Sequence, residues 1–207
     1  MRIDSDNAVV YENNGKPRLI IGTDRVFQHI RWNKTSLIVF LDLDRQLSIP
    51  EYQAGEEMLH TIENVAFRRH EQSTCIIQTS HPEHLVIRAQ KEPDRWYRTE
   101  LHLRRTLMYP PYRFLVRYCY GHADAALAKS HSTAVYQALE SSLTKNNKHD
   151  MLHAPIPMQP QYMRGRFWYT ILAKIEVQHM QEDLLWLNSQ IPANWIIDPH
   201  PNSILSL

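Results

Sequence analysis

Two adjacent prolines, Pro110 and Pro111, divide this chain into stretches with different hydrophobic patterns. Proline cannot continue a helix, and it pushes the residue before it out of helical dihedrals. A helix over Asp94 to Met108 therefore stops here. Beyond the break, "YRFLVRYCY" (Tyr112 to Tyr120) alternates as a strand does. Ala123 to Leu143 has helical spacing, with Val135, Ala138, Leu139 and Ser142 on one side. "TKNNKHD" is a polar turn, and "MLHAPIP" is a short strand ending at prolines. "RFWYTILAKI" (Arg166 to Ile175) is a strong strand. Gln178 to Gln190 is a helix whose stripe is Met180, Leu184 and Leu187, continued by Ile191, and "NWIID" (Asn194 to Asp198) is a last strand. The order β-α-β-β-α-β is the split βαβ, ferredoxin-like pattern.

Before the break the pattern differs. "RLIIGT" (Arg18 to Thr23), "SLIVFLDLD" (Ser36 to Asp44) and "TCIIQT" (Thr74 to Thr79) are nearly continuous apolar runs. Such runs suit strands covered on both faces, as in parallel sheets. A helix from about Pro50 to His70 presents Met58, Ile62, Val65 and Arg69 at helical spacing, with Leu59 and Ala66 beside them. "HPEHLVIRAQ" starts a shorter one. The first dozen residues are polar, and "NNGKP" (Asn13 to Pro17) is a turn. The fold class is α/β. Residues 1–92 form a partial parallel α/β lobe, 93–111 a helical linker and 112–207 the split βαβ domain. Three strands leave unpaired edges, so the first lobe reads as part of a larger one.

The residue inventory narrows the chemistry. The five glycines are all isolated, and no GxxxxGK or GxGxxG is present. Backbone amides need clustered glycines to approach a phosphate closely, so no autonomous nucleotide-hydrolysing site is expected, and no cofactor. Two cysteines, Cys75 and Cys119, sit in apolar runs and read as core thiols in a reducing compartment. Asp42 and Asp44 in "LDLD", with Glu51, Glu56 and Glu57 downstream, invite a metal reading. Strand-end polarity and helix-start acids explain them more simply. Twelve histidines show no telling ligand spacing; His81 and His84 read as a helix start. No catalytic residue and no metal site is assigned. No run approaches a membrane span, and "MRIDSDNAVV" lacks the apolar core of a signal peptide, which makes the cytoplasm the expected compartment.

The formal net charge is +1, so nucleic-acid binding would need a local patch. Strand alternation supplies one. In the split βαβ topology the first and third strands are central neighbours. One face carries Phe114, Val116, Tyr118, Phe167, Tyr169, Ile171, Ala173 and Ile175, and belongs under the helices. The opposite face gathers Arg113, Arg117, Arg166, Trp168 and Lys174, with Arg164 in the loop beside it. Cations with an aromatic suit backbone neutralisation and base stacking. The plain alternative is that this face packs against other protein or is solvated.

Several stretches, in order, resemble the C-terminal part of the primosomal protein N′ family, the bacterial replication-restart DNA helicases. They are "IIGTDRV", "VFLDLDRQLSIPEYQAGEE", "NVAFRR", "IIQTSHPEHLVI", "LHLRRTLMYPPY", "RGRFWYTILAKI" and "IIDPHPNS". The resemblance implies that the first lobe is the late part of a second RecA-like helicase lobe. It also implies that Pro110 onward is a domain contacting branched DNA and the single-strand-binding protein, in replication or repair on the nucleoid. Gly22 and Thr23 match the family's glycine-threonine motif, and Arg68 its first later arginine. The usual lysine-glycine is Gln28-His29, and Phe67, His70 and Glu71 replace two glycines and the last arginine of that motif. Losing a transition-state arginine costs about 10³ to 10⁵ in rate in related chemistry. The expectation is a DNA- or partner-binding module with degenerate ATP-binding motifs. The alternatives are one half of a split helicase whose first lobe is on another chain, and an inert remnant.

Overall fold

A computed structural model describes residues 2–3, 19–28, 30–145 and 148–206. The chain divides into two compact units: residues 1–49 with 54–92, and residues 50–53 with 93–207.

The first unit contains β1 (Arg2–Ile3), β2 (Ile21–Gly22), β3 (Leu37–Phe40), α1 (Leu43–Leu47), α2 (Ala54–Arg68), β4 (Thr74–Ile77) and α3 (Leu85–Arg88). Its strands are parallel, but among the described residues they do not form the expected single sheet: there β1 pairs only with β2, and β3 only with β4. Nor are they covered on both faces. β3 and β4 alternate between half-buried and exposed residues, and Leu37, Val39 and Ile76 stand in solvent. Helix α2 buries Met58, Leu59, Ile62 and Val65 of the apolar stripe its spacing predicts but leaves Ala66 exposed, and carries Glu56 and Glu57 at its positive N-terminal end. The "NNGKP" turn and the start of "RLIIGT" lie outside the described residues.

The second unit contains α4 (Pro93–Thr106), β5 (Arg113–His122), α5 (Ala125–Lys145), β6 (Leu152–Met163), β7 (Arg166–Glu176), α6 (Met180–Gln190) and β8 (Ile196–Pro199). Its sheet order is β6-β7-β5-β8, with every pair antiparallel. This is the split βαβ arrangement: β7 lies between β5 and β6, and β5 between β7 and β8. Pro93 opens α4 at the position where a missing N–H costs nothing. The Asp124 carboxylate caps α5 by accepting from the Leu127 N–H at 2.9 Å. The core lies between sheet and helices. Val116, Tyr118, Ile171, Ala173 and Ile175 meet Leu139, Leu143 and Leu187, as the strand alternation predicts.

Strand β6 is far longer than the "MLHAPIP" reading. It runs 12 residues through Pro155, Pro157 and Pro160, with register shifts at His153/Ile156 and Pro157/Tyr162. Prolines are tolerated because β6 is an edge strand, and bulges absorb their missing donors.

Candidate nucleic-acid interface

The sheet face that gathers the basic residues is covered by the chain itself. Arg117 is only 4% exposed; it pairs with Asp198 at 2.6 Å and donates to the Ser206 carbonyl. Lys174 is also 4% exposed. Its Nζ donates to the Leu107 carbonyl at 2.7 Å and lies 3.8 Å from the centroid of the Tyr109 ring. Burial pulls its pKa down to about 8. Trp168 packs with Cys119 and Met158, and its indole N–H donates to the Met163 carbonyl at 3.0 Å. Arg113 pairs with Glu176, its partner across the sheet, at 2.7 Å.

The cover is the C-terminal strap. The Glu51 carboxylate accepts from the Ser203 hydroxyl and from the backbone N–H groups of Ile204 (2.8 Å) and Leu205 (3.1 Å). Ile204 then packs on Leu115 and Leu172, with Tyr52 and Tyr109 beside it. The open basic platform expected from alternation is therefore closed, because Leu115 and Leu172 on the same face need apolar cover and the strap supplies it. Arg117, Trp168 and Lys174 are committed to structure.

Arg164 and Arg166 remain exposed. They sit on the hairpin that joins β6 to β7. Arg164 has φ +52° and Gly165 φ +76°, the two positive values that a two-residue type I′ hairpin turn requires. Nothing lies within 4 Å of where a Gly165 side chain would begin, so its backbone conformation alone selects glycine. Arginine at φ +52° has no such freedom and costs about 1 kcal/mol or more. Arg166 donates to the Gly121 carbonyl at 3.4 Å, a long bond that leaves most of the guanidinium free. Tyr162 is 58% exposed and meets the ring of Phe167 at 4.9 Å. Sequence reading missed Tyr162, because the prolines hid β6. The signal present was Gly165 just before the strand-forming run "RFWYTILAKI", weakened by an arginine where the turn prefers asparagine or aspartate.

The degenerate nucleotide motifs lie in the first unit. Gly22 ends β2, Thr23 follows it, and both are exposed. Arg68 is the exposed last residue of α2, and no hydrogen bond or ion pair joins it to Gly22 or Thr23 among the described residues. Phe67 is 91% exposed. Asp44 is built into a local clamp. Its carboxylate accepts from the Thr79 hydroxyl (2.5 Å) and from the Ser80 N–H (2.7 Å) and hydroxyl (2.5 Å), with His81 at 3.7 Å. The Ser80 and Thr79 hydroxyls hold this carboxyl well below the usual carboxylate range. Among the described residues no group of three or more His, Cys, Asp or Glu side chains is placed to hold a metal ion, and no helix is long and apolar enough to cross a membrane.

No protein-family profile matches the chain. Curated proteins do. It is 28% identical over 176 residues to replication restart protein PriA of Bacillus subtilis, covering 83% of this chain and 22% of that protein. It is 25% identical over 166 residues to the protein of the same name from Thermotoga maritima, covering 78% and 22%. The one from Borreliella burgdorferi is 22% identical over 160 residues, covering 72% and 24%. The resemblance carried by the sequence motifs is thus shown, and the chain spans under a quarter of the length of the relatives it matches.

Proposed function

We propose that this chain is a nucleic-acid-contacting module related to the replication-restart proteins, acting without ATPase activity of its own. The observation that carries the reading is the β6–β7 hairpin tip. It presents the guanidinium groups of Arg164 and Arg166 to solvent, with Arg164 kept where asparagine or glycine would fit the backbone better. Strained residues on exposed loops point to function. Arginine forks suit phosphate oxygens. The other four basic-face residues support the sheet instead of touching ligand. Loss of ATP hydrolysis rests on the missing glycine-rich loop and on Glu71, a carboxylate that would repel a γ-phosphate.

The test is fluorescence anisotropy with labelled single-stranded and forked DNA across salt, with and without ATP. Binding at low salt that weakens steeply with added salt and ignores ATP is the expected result. Absence of binding to either DNA at low salt would contradict the proposal. The resemblance read from the sequence motifs also implies a single-strand-binding protein as a partner, testable by adding one to the same titration.

A second reading has its own observation. The two-stranded β3–β4 sheet leaves Leu37, Val39 and Ile76 exposed, as a lobe completed by another chain would. DNA-stimulated ATPase activity on mixing with a chain supplying a first helicase lobe would establish that reading.

A further inference from the structure

Across the end of the four-stranded sheet, three neighbouring strands place rings in one row. Tyr162 on β6 is the register partner of Phe167 on β7, and Phe167 is the partner of His122 on β5. Directly opposed residues share a face, so the three side chains stand side by side. The Tyr162 and Phe167 centroids are 4.9 Å apart, and His131 from α5 lies 6.2 Å from His122. One strand step inward the row gives way to the core, where Tyr120 stacks on Trp195 at 5.2 Å. The outer rings are not buried: Tyr162 is exposed and Phe167 half-buried.

Along the hairpin the charge is one-sided. The segment from Gln161 to Trp168 carries Arg164 and Arg166 and no carboxylate. The acid nearest in sequence to His122 is Asp124, whose carboxylate caps α5 through Leu127. Planar rings on one face of a strand end, with the exposed guanidinium groups of Arg164 in the turn and Arg166 at the edge of the opposite face, match a ligand that offers flat aromatic faces and phosphates together. A duplex offers phosphates but keeps its base faces stacked; a single strand offers both.

We propose that Tyr162 and Phe167 form a stacking platform for unpaired bases, flanked by Arg164 and Arg166 on the phosphates, which makes single-stranded nucleic acid the preferred ligand of this hairpin. This rests on the nucleic-acid reading above and adds the residues that select the strand form. Tyr162 holds the outer position and Phe167 the inner one, where it also buttresses Tyr162.

The experiment compares a fluorescein-labelled oligo-dT strand with a blunt duplex of the same length, by anisotropy at two salt concentrations. Tyr162→Ala is expected to weaken oligo-dT binding about tenfold, to leave duplex binding within about twofold, and to leave the salt dependence unchanged. Tyr162→Trp, which keeps a stacking face, is expected to restore the single-strand preference. Circular dichroism of both variants should match the wild type, since Tyr162 is an exposed edge residue. Equal affinity of Tyr162→Ala and wild type for oligo-dT, with binding still lost in Arg164→Ala/Arg166→Ala, would overturn the platform and leave the arginine contacts standing. Failure of the wild type to bind either DNA would overturn both.

Discussion

Replacing Arg164 with asparagine separates what the hairpin turn prefers from what a ligand would need. The turn holds residue 164 at φ +52° and residue 165 at φ +76°. A left-handed conformation costs an L-residue about 1–2 kcal/mol. Asparagine tolerates it through local hydrogen bonds, and Asn-Gly is the favoured type I′ pair. Among the described residues no hydrogen bond or ion pair is lost with the arginine, whose side chain is exposed. Arg164→Asn should therefore stabilise the second unit by about 1 kcal/mol. In urea this moves the unfolding midpoint upward by roughly 0.3–1 M at unchanged slope. Tryptophan fluorescence is a suitable probe, because the Trp168 indole is hydrogen-bonded to Met163, the residue before the turn. The same variant should bind single-stranded DNA more weakly, with the slope of log K against log salt reduced by about 0.7, one phosphate's share. A stabler protein with weaker binding is the signature of a residue kept for contact at the expense of the fold. A variant that is no stabler would refute the backbone argument, and one with an unchanged salt slope would refute the phosphate contact.

Three other perturbations probe the account. Gly121→Ala puts a methyl group within 2.7–2.9 Å of the Trp168 ring, which is buried against Cys119 and Met158, and should cost about 1–3 kcal/mol by urea denaturation. Arg117→Met removes the buried partner of Asp198; the loss should be about 2–3 kcal/mol, below the usual figure because Asp198 is one-third exposed, while the salt slope of DNA binding stays unchanged. The third concerns acid. The Asp44 carboxyl has its folded pKa depressed, so its contribution is fully present above the unfolded carboxylate value and is lost as pH falls through the folded one. Asp44→Asn should accordingly weaken the first unit at neutral pH, with the difference from wild type shrinking below about pH 4 in acid titrations followed by circular dichroism.

The split βαβ order was legible because β5 and β7 obey strict alternation, and the helices they pack against keep a 3.6-residue stripe. The same alternation misdirected the reading of the opposite face. It placed Arg117, Trp168 and Lys174 together correctly but could not show what covers them. That cover comes from Ile204 and Leu205, held by Glu51 across most of the chain's length, and no local pattern encodes such a contact. Strand β6 was under-read for a different reason: Pro155, Pro157 and Pro160 look like breakers until its edge position is known. In the first unit, apolar runs that suggest strands buried on both faces form two-stranded sheets with one side open. The runs of residues are strand-like, but their burial depends on neighbours that the described residues do not supply. The tip arginines are candidates on residue type and position alone, whereas Tyr162 becomes one only once its register with Phe167 is known.

The most direct measurement is the salt dependence of single-strand binding for the wild type and for Arg164→Ala/Arg166→Ala. Each phosphate contact on a single strand contributes about 0.7 to the slope, so the double variant should lose about 1.4 from it, with weaker binding at low salt and unaltered unfolding by circular dichroism. Identical slopes for the two proteins, or no binding by the wild type at low salt, would contradict the assignment of the β6–β7 hairpin as the nucleic-acid contact.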